Sequence, residues 1–194
     1  MKLFLVSTSP RRREILEKFG YEFEILKPQK EDKIESRKKF DPITVLKLAR
    51  SKLDNIEIAE GVLLSADTVV VLEDKILPKP SSINHAKNFL KSLSGKIHRV
   101  YTGYVIKKYP AGTEIGKVEC TEVKFKELSE SEIDSLVSIE DPLDKAGGYA
   151  IQGYSGLFIQ WIKGDYFNVV GLPISSVYQS LKSFGIFPHW LRFK

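Results

Sequence analysis

Residues 3–6 form a short unbroken apolar run, the pattern of a strand buried on both faces. Ser9 and Pro10 then signal a helix start, with Ser9 as the cap. Ile15, Leu16 and Phe19 share one face of that predicted helix, and Gly20 ends it. The loop between strand and helix therefore points at a helix N-terminus. Tyr21, Phe23 and Ile25 alternate with Glu22 and Glu24 as in a half-buried strand. Residues 27–40 are densely charged and lack apolar periodicity, which predicts a mobile surface loop. A second helix is expected from Asp41 and Pro42, with Val45, Leu46, Ala49 and Leu53 facing inward and Lys47, Arg50 and Lys52 on the flanks. Residues 62–72 read as a central strand interrupted by Asp67.

The alternation continues with a helix over 84–93, strands near 100–107 and 118–125, and a helix over 130–137. Residues 157–162 and 167–170 read as late strands, and 174–184 as a final helix. A long hairpin around the 109–117 turn makes the predicted sheet mixed rather than all parallel. The expected fold class is α/β, a mixed sheet flanked by helices.

Composition narrows this reading without redirecting it. A chain of 194 residues is long enough for one domain or two closely joined lobes. With 42% hydrophobic and 28% charged residues it has the balance of a folded soluble protein, which excludes disorder. The net charge of +5 suits a phosphate-bearing partner without requiring one. The single cysteine, Cys120, excludes an internal disulfide and makes the cytoplasm the default location. The apolar run at 3–6 is too short for a signal core, and no stretch is long enough to span a bilayer, so neither secretion nor a membrane is expected.

Four segments could carry chemistry. Ser7-Thr8-Ser9-Pro10-Arg11-Arg12-Arg13 gathers hydroxyls and guanidiniums where a helix N-terminus also favours an anion, a plausible triphosphate cradle. The plainer reading is a capped helix with solvated arginines, yet cations in a first turn oppose the helix dipole. Asp67 interrupts an apolar strand, so it needs a divalent cation, a nearby lysine or a reacting water, unless a bend or local backbone bonds satisfy it. Lys79 is held between Pro78 and Pro80, although a lysine in a turn is usually just solvated. In the run 144–153, small residues surround Gln152, which could pair with a base edge or simply lie in a glycine-rich surface turn. The three histidines show no metal-ligand spacing, and no nucleophile-elbow, Walker or dinucleotide-binding motif is present.

Read together, Ser7-x-Ser9-Pro10-Arg11-Arg12, Ala66-Asp67-Thr68-Val69-Val70, Lys79-Pro80, Leu93-Ser94-Gly95 with His98 and Thr102-Gly103, and Asp141-Pro142-Leu143-Asp144-Lys145-Ala146-Gly147 resemble the Maf family. So do Ile151-Gln152-Gly153 and the run from Gly164 to Pro173. These blocks follow the family's order from Ser7 to Pro173, and the combination is far more specific than any one piece.

The resemblance implies a fold related to the inosine triphosphatases: one Maf-like domain over 1–194, with two lobes and a nucleotide in the central cleft. It implies a nucleoside triphosphate pyrophosphatase acting on dTTP and UTP. Asp67 would be the general base and a metal-site carboxylate, and Ser7, Arg11, Arg12, Lys52 and Lys79 would hold phosphates. Thr68 and Gln152, with Arg11, match the positions that distinguish the dTTP/UTP subgroup. The acidic loop departs from the family pattern, with Asp32 where glutamate is common, so Glu31 stands as an alternative metal ligand. The cofactor expected is Mg2+, with Mn2+ as a substitute, because carboxylate, phosphate and water oxygens suit hard cations. No stable nucleic-acid partner is expected, and a homodimer is compatible with the sequence. The competing reading is a regulatory or nucleic-acid-binding protein linked to cell division and septum formation, an association the family carries.

Overall fold

The computed structural model of the chain describes residues 1–30 and 40–191. Most of the 27–40 segment, with Glu31 and Asp32, lies outside the described residues. Strand β1 (Leu3–Val6) leads into helix α1 (Pro10–Lys18), followed by β2 (Glu24–Leu26) and α2 (Ile43–Ser51). Next come β3 (Gly61–Leu72), β4 (Lys75–Leu77), α3 (Ile83–Leu93) and the long hairpin β5 (Ile97–Tyr109) and β6 (Glu114–Phe125). Helix α4 (Glu130–Ile139), strand β7 (Ile159–Lys163) and helices α5 (Tyr166–Val170) and α6 (Ile174–Ser183) complete the order.

Among the described residues one sheet runs β2-β1-β3-β5-β6-β7, with β4 paired to β3 outside that path. β1 is parallel to both β2 and β3, while the remaining pairs are antiparallel. The expected mixed α/β class is therefore the class observed.

β3 sends successive side chains to opposite faces. Its even positions Val62, Leu64 and Ala66 join Leu3, Leu5, Tyr104 and Ile106 under Val177 and Leu181 of α6. Farther along the same face, Val70 and Leu72 join Val100, Val123 and Phe125 under α3 and α4. On the other face Leu63 packs with Ala49 of α2, and Val69 and Val71 pack with Val45. The even face thus carries two apolar clusters with Thr68 of β3 and Thr102 of β5 between them, directly paired in the β-ladder.

Several local expectations need correcting. Residues 167–170 form helix rather than strand, because the Asp165 carboxylate accepts bonds from the N–H groups of Phe167 (2.7 Å) and Asn168 (3.3 Å) and caps α5. Residues 157 and 158 belong to a 3-10 turn, and β7 begins at Ile159. β2 is only three residues long, with Tyr21 buried ahead of it and Ile25 exposed. Leu48 of α2 is buried where Leu46 was expected, and Leu46 is half-buried. Ser9 occupies the N-cap position of α1 without a side-chain cap bond. Among the described residues no helix is long and apolar enough to cross a membrane.

Candidate active site

At the middle of β3 both faces turn polar at once, Asp67 to one side and Thr68 to the other. A cleft of about 800 Å³ opens there. Its walls come from the β1–α1 loop, α2, the centre of β3, the Pro78–Lys79 turn, residues 144–152 and the end of α5.

The Asp67 side depends on a close approach. Gly103 of β5 lies opposite Asp67 in the ladder, and a Cβ there would fall 2.6 Å from the Val45 carbonyl carbon. Only glycine lets α2 settle this low on the sheet. The residue just past that helix, Lys52, is buried, and its ammonium donates to the Ala66 carbonyl (3.0 Å) and ion-pairs with the Asp67 carboxylate. Lys52, expected on the flank of the helix, is thus turned inward and lines the cleft. A buried ammonium is costly without an anion, and the carboxylate that interrupts the apolar strand supplies one.

The Thr68 side is built around Arg12, which is buried rather than solvated. Its Nε donates to the Gly171 carbonyl at 2.9 Å, Nη2 to Thr68 Oγ1 at 3.1 Å and Nη1 to Ser7 Oγ at 3.4 Å. Gly171 ends α5 at φ +125°, a left-handed-region value that glycine accepts without strain. Behind Thr68, its hydroxyl lies 2.9 Å from that of Thr102, which lies 3.1 Å from the Asn168 carbonyl. The Asn168 amide in turn donates to the Val100 carbonyl (2.9 Å) and to Thr121 Oγ1 (3.0 Å).

The mouth of the cleft is more open. Arg11 reaches across it to Asp144, with Nη1 on Oδ2 at 3.1 Å and Nη2 on the backbone carbonyl at 3.3 Å. Lys145 holds the other Asp144 oxygen at 2.8 Å. Partial burial alone would push the Asp144 carboxyl up; Lys145 and Arg11 reverse this and hold it below the ordinary carboxylate range. The Gly147 N–H donates to the Pro78 carbonyl at 3.2 Å, tying this wall to the turn that carries Lys79. Beneath the wall, Tyr149 Oη lies 2.6 Å from Nε2 of the buried His98. Burial pushes the His98 imidazole down to about 4 and the Tyr149 phenol up, so both stay neutral near pH 7. Gln152 and Lys79 line the cleft with exposed side chains.

Ser7, Arg11, Arg12, Lys52, Asp67, Thr68, Lys79 and Gln152 therefore all line one cleft, although they are scattered over 146 positions of chain, from 7 to 152 inclusive. Glu31 and Asp32 fall outside the described residues. Asp144 and Lys145 also line the cleft, though only their motif, with no role attached, was visible beforehand. Thr102 and Asn168 were missed as supports. Both stood in the motif blocks with no role attached, and the signal of a supporting role, polarity at a fully buried position, is one that a single sequence does not display.

The chain is thus a mixed α/β protein whose sheet is crossed at mid-strand by a polar, cation-rich cleft. It matches the family model described as Maf-like protein over residues 2–184, and it belongs to the Maf family. A dTTP/UTP pyrophosphatase of Carboxydothermus hydrogenoformans is 44% identical over 188 residues, spanning 95% of this chain and 100% of that protein. Proteins of the same name from Bacillus cereus and Bacillus anthracis are each 45% identical over 187 residues, 95% of this chain and 96% of theirs. Among solved structures, the nucleoside-triphosphatase / dITP/XTP pyrophosphatase of Mycobacterium abscessus aligns with a TM-score of 0.46 at 11% identity, over 95% of this chain and 98% of that one.

Proposed function

We propose that the chain hydrolyses nucleoside triphosphates, dTTP and UTP above others, to the monophosphate and pyrophosphate. The observation that carries this reading is the meeting of the mid-strand carboxylate of Asp67 with Arg11, Arg12, Lys52 and Lys79 in a single cleft. A triphosphate needs several cations converging from different elements, and the relatives' name supplies the substrate class.

In this reading Arg11, Arg12, Lys52, Lys79 and Ser7 hold the phosphate oxygens. Asp67 takes a proton from the water that attacks the α-phosphorus. The new P–O bond forms as the bond to the bridging oxygen breaks, and that electron pair leaves with pyrophosphate. Catalysis rests on positioning and charge neutralisation, which suits a cleft that gathers several cations from different elements. Thr68 and Gln152, with Arg11, select the base.

Among the described residues the cleft lining offers oxygen donors and neither histidine nor cysteine, a set that fits a hard cation. Asp67 would hold Mg2+ or Mn2+, with Asp32 or Glu31 as a second ligand, and the ion would supply charge neutralisation at the phosphates and acidify bound water. A cytoplasmic location accords with the single free cysteine. The regulatory or nucleic-acid-binding alternative explains neither the buried Lys52–Asp67 pair nor the cleft at mid-sheet.

A panel of nucleoside triphosphates assayed for pyrophosphate release tests the reading. Turnover of dTTP and UTP should exceed that of CTP and purine triphosphates at least about tenfold in kcat/KM. It should stop with EDTA and return with added Mg2+. No pyrophosphate from any nucleotide, together with salt-sensitive nucleic-acid binding, would favour the alternative.

A further inference from the structure

The hydroxyl hydrogens around Thr68 can be assigned from their neighbours. α5 ends at Val170, and the N–H groups of Gly171 and Leu172 both go to the Phe167 carbonyl. The Asn168 carbonyl is therefore a helix-end acceptor that needs a donor from elsewhere. Thr102 Oγ1, fully buried at 3.1 Å, supplies it and so commits its one hydrogen. The 2.9 Å contact between the two threonines then requires Thr68 to donate and Thr102 to accept. The alternative arrangement turns the Thr68 hydrogen to the Gly171 carbonyl at 3.4 Å, which is also away from the open cleft. Arg12 Nη2 occupies one Thr68 lone pair. What Thr68, which lines the cleft, can offer a ligand is then a lone pair and not its hydrogen.

We infer that Thr102 is a positioning residue that makes Thr68 an acceptor-only group, so that the cleft selects a base presenting a ring N–H to it. Uracil and thymine carry such an imide N–H; cytosine carries a bare ring nitrogen at the same place, whose lone pair would oppose that of Thr68. The inference rests on the pyrophosphatase reading above and extends it from which residue selects the base to how its polarity is set. Thr102 itself does not line the cleft.

Thr102→Val keeps the side-chain shape and removes both bonds, leaving only the 3.4 Å Gly171 carbonyl to hold the Thr68 hydrogen, so that the hydroxyl can turn and donate to a ligand. The ratio of kcat/KM for UTP over CTP should fall about tenfold, because a site built on hydrogen bonds loses discrimination when its polarity is released. Thr102→Ser keeps the hydroxyl and should retain the wild-type ratio. Both values of a ratio come from one preparation, so partial unfolding cancels. If the valine variant does not fold, Thr102→Cys, with a weaker donor and acceptor in place of the hydroxyl, should lower the ratio roughly threefold. A wild-type enzyme without preference for UTP sinks the substrate reading before any variant is made. A wild-type preference left unchanged in the valine variant, or in the cysteine variant standing in for it, overturns this inference alone, as does a serine variant that loses the preference equally.

Discussion

Arg11 and Arg12 are neighbours on α1, yet they belong to two different environments, the mouth of the cleft and its floor. At the floor, Arg12, Ser7, Thr102 and Asn168 are buried and joined, with Thr68, by hydrogen bonds to one another or to the end of α5. At the mouth, Arg11 and Asp144 form an ion pair with side chains 25% and 50% exposed. A buried network loses the full desolvation cost of every group left unpartnered when a member is removed, whereas an exposed pair contributes little. The same residue type, one position apart on the same cleft, should thus carry far more of the fold's stability at the floor than at the mouth.

The largest expected effect is at Asp67, where floor and chemistry meet. Asp67→Asn should cut pyrophosphate release by at least about a hundredfold, the usual contribution of a general base, while the protein stays folded and still binds nucleotide. Near-normal release by this variant would remove Asp67 from that role and reduce it to the partner of Lys52.

Replacing the two arginines tests the contrast itself. Arg12→Ala should lower unfolding free energy by about 2–3 kcal/mol in urea titrations, since the Gly171 carbonyl and the Thr68 hydroxyl lose a buried donor. Arg11→Ala should cost less than about 1 kcal/mol, and instead raise the KM for UTP about tenfold. Equal stability losses in the two variants would erase the distinction between floor and mouth.

His98 and Tyr149 form the buried anchor beneath the exposed wall, and their contribution is visible through pH. The folded imidazole titrates at about 4, against about 6.5 in an unfolded chain. Between these values the unfolded state binds the extra proton, so stability is full above about pH 6.5 and is lost as pH falls toward 4. From pH 7.5 to 5 the loss should be about 2 kcal/mol from this group. His98→Gln should flatten that part of the profile; an unchanged slope would mean that other groups cause it.

What the sequence revealed and what it hid divide along the same line. The strand order of polarity in Ser65-Ala66-Asp67-Thr68 was legible because a carboxylate in an apolar run violates a local rule. The mixed sheet followed from the hairpin signals. The burial of Lys52 was not legible because its neighbours Lys47 and Arg50 are exposed, and it depends on an anion fifteen positions away and on a glycine at 103 that admits α2. Residues 167–170 looked like a strand because Phe167, Val169 and Val170 favour strands, but the Asp165 cap prevailed over propensity in so short a segment. The Thr68–Thr102–Asn168 chain links β3, β5 and α5, so no local pattern could announce it.

The smallest effect expected, and the most informative about the mouth, is at Gln152. Its side chain is exposed on the cleft wall, so changing it should leave stability within about 0.5 kcal/mol of wild type. An amide offers both a donor and an acceptor, whereas a carboxylate offers only acceptors. Uracil and thymine present carbonyl, N–H and carbonyl in turn. Gln152→Glu would therefore lose the donor for a carbonyl and place a negative charge against that oxygen instead. The expected outcome is a fall of about tenfold in kcat/KM for UTP and dTTP, with the Mg2+ concentration for half-maximal rate nearly unchanged. Cytosine has an amino donor where uracil has a carbonyl, so CTP should lose less or gain. If UTP and CTP instead fell by the same factor, Gln152 would be a general wall of the cleft, and base selection would rest on the floor alone.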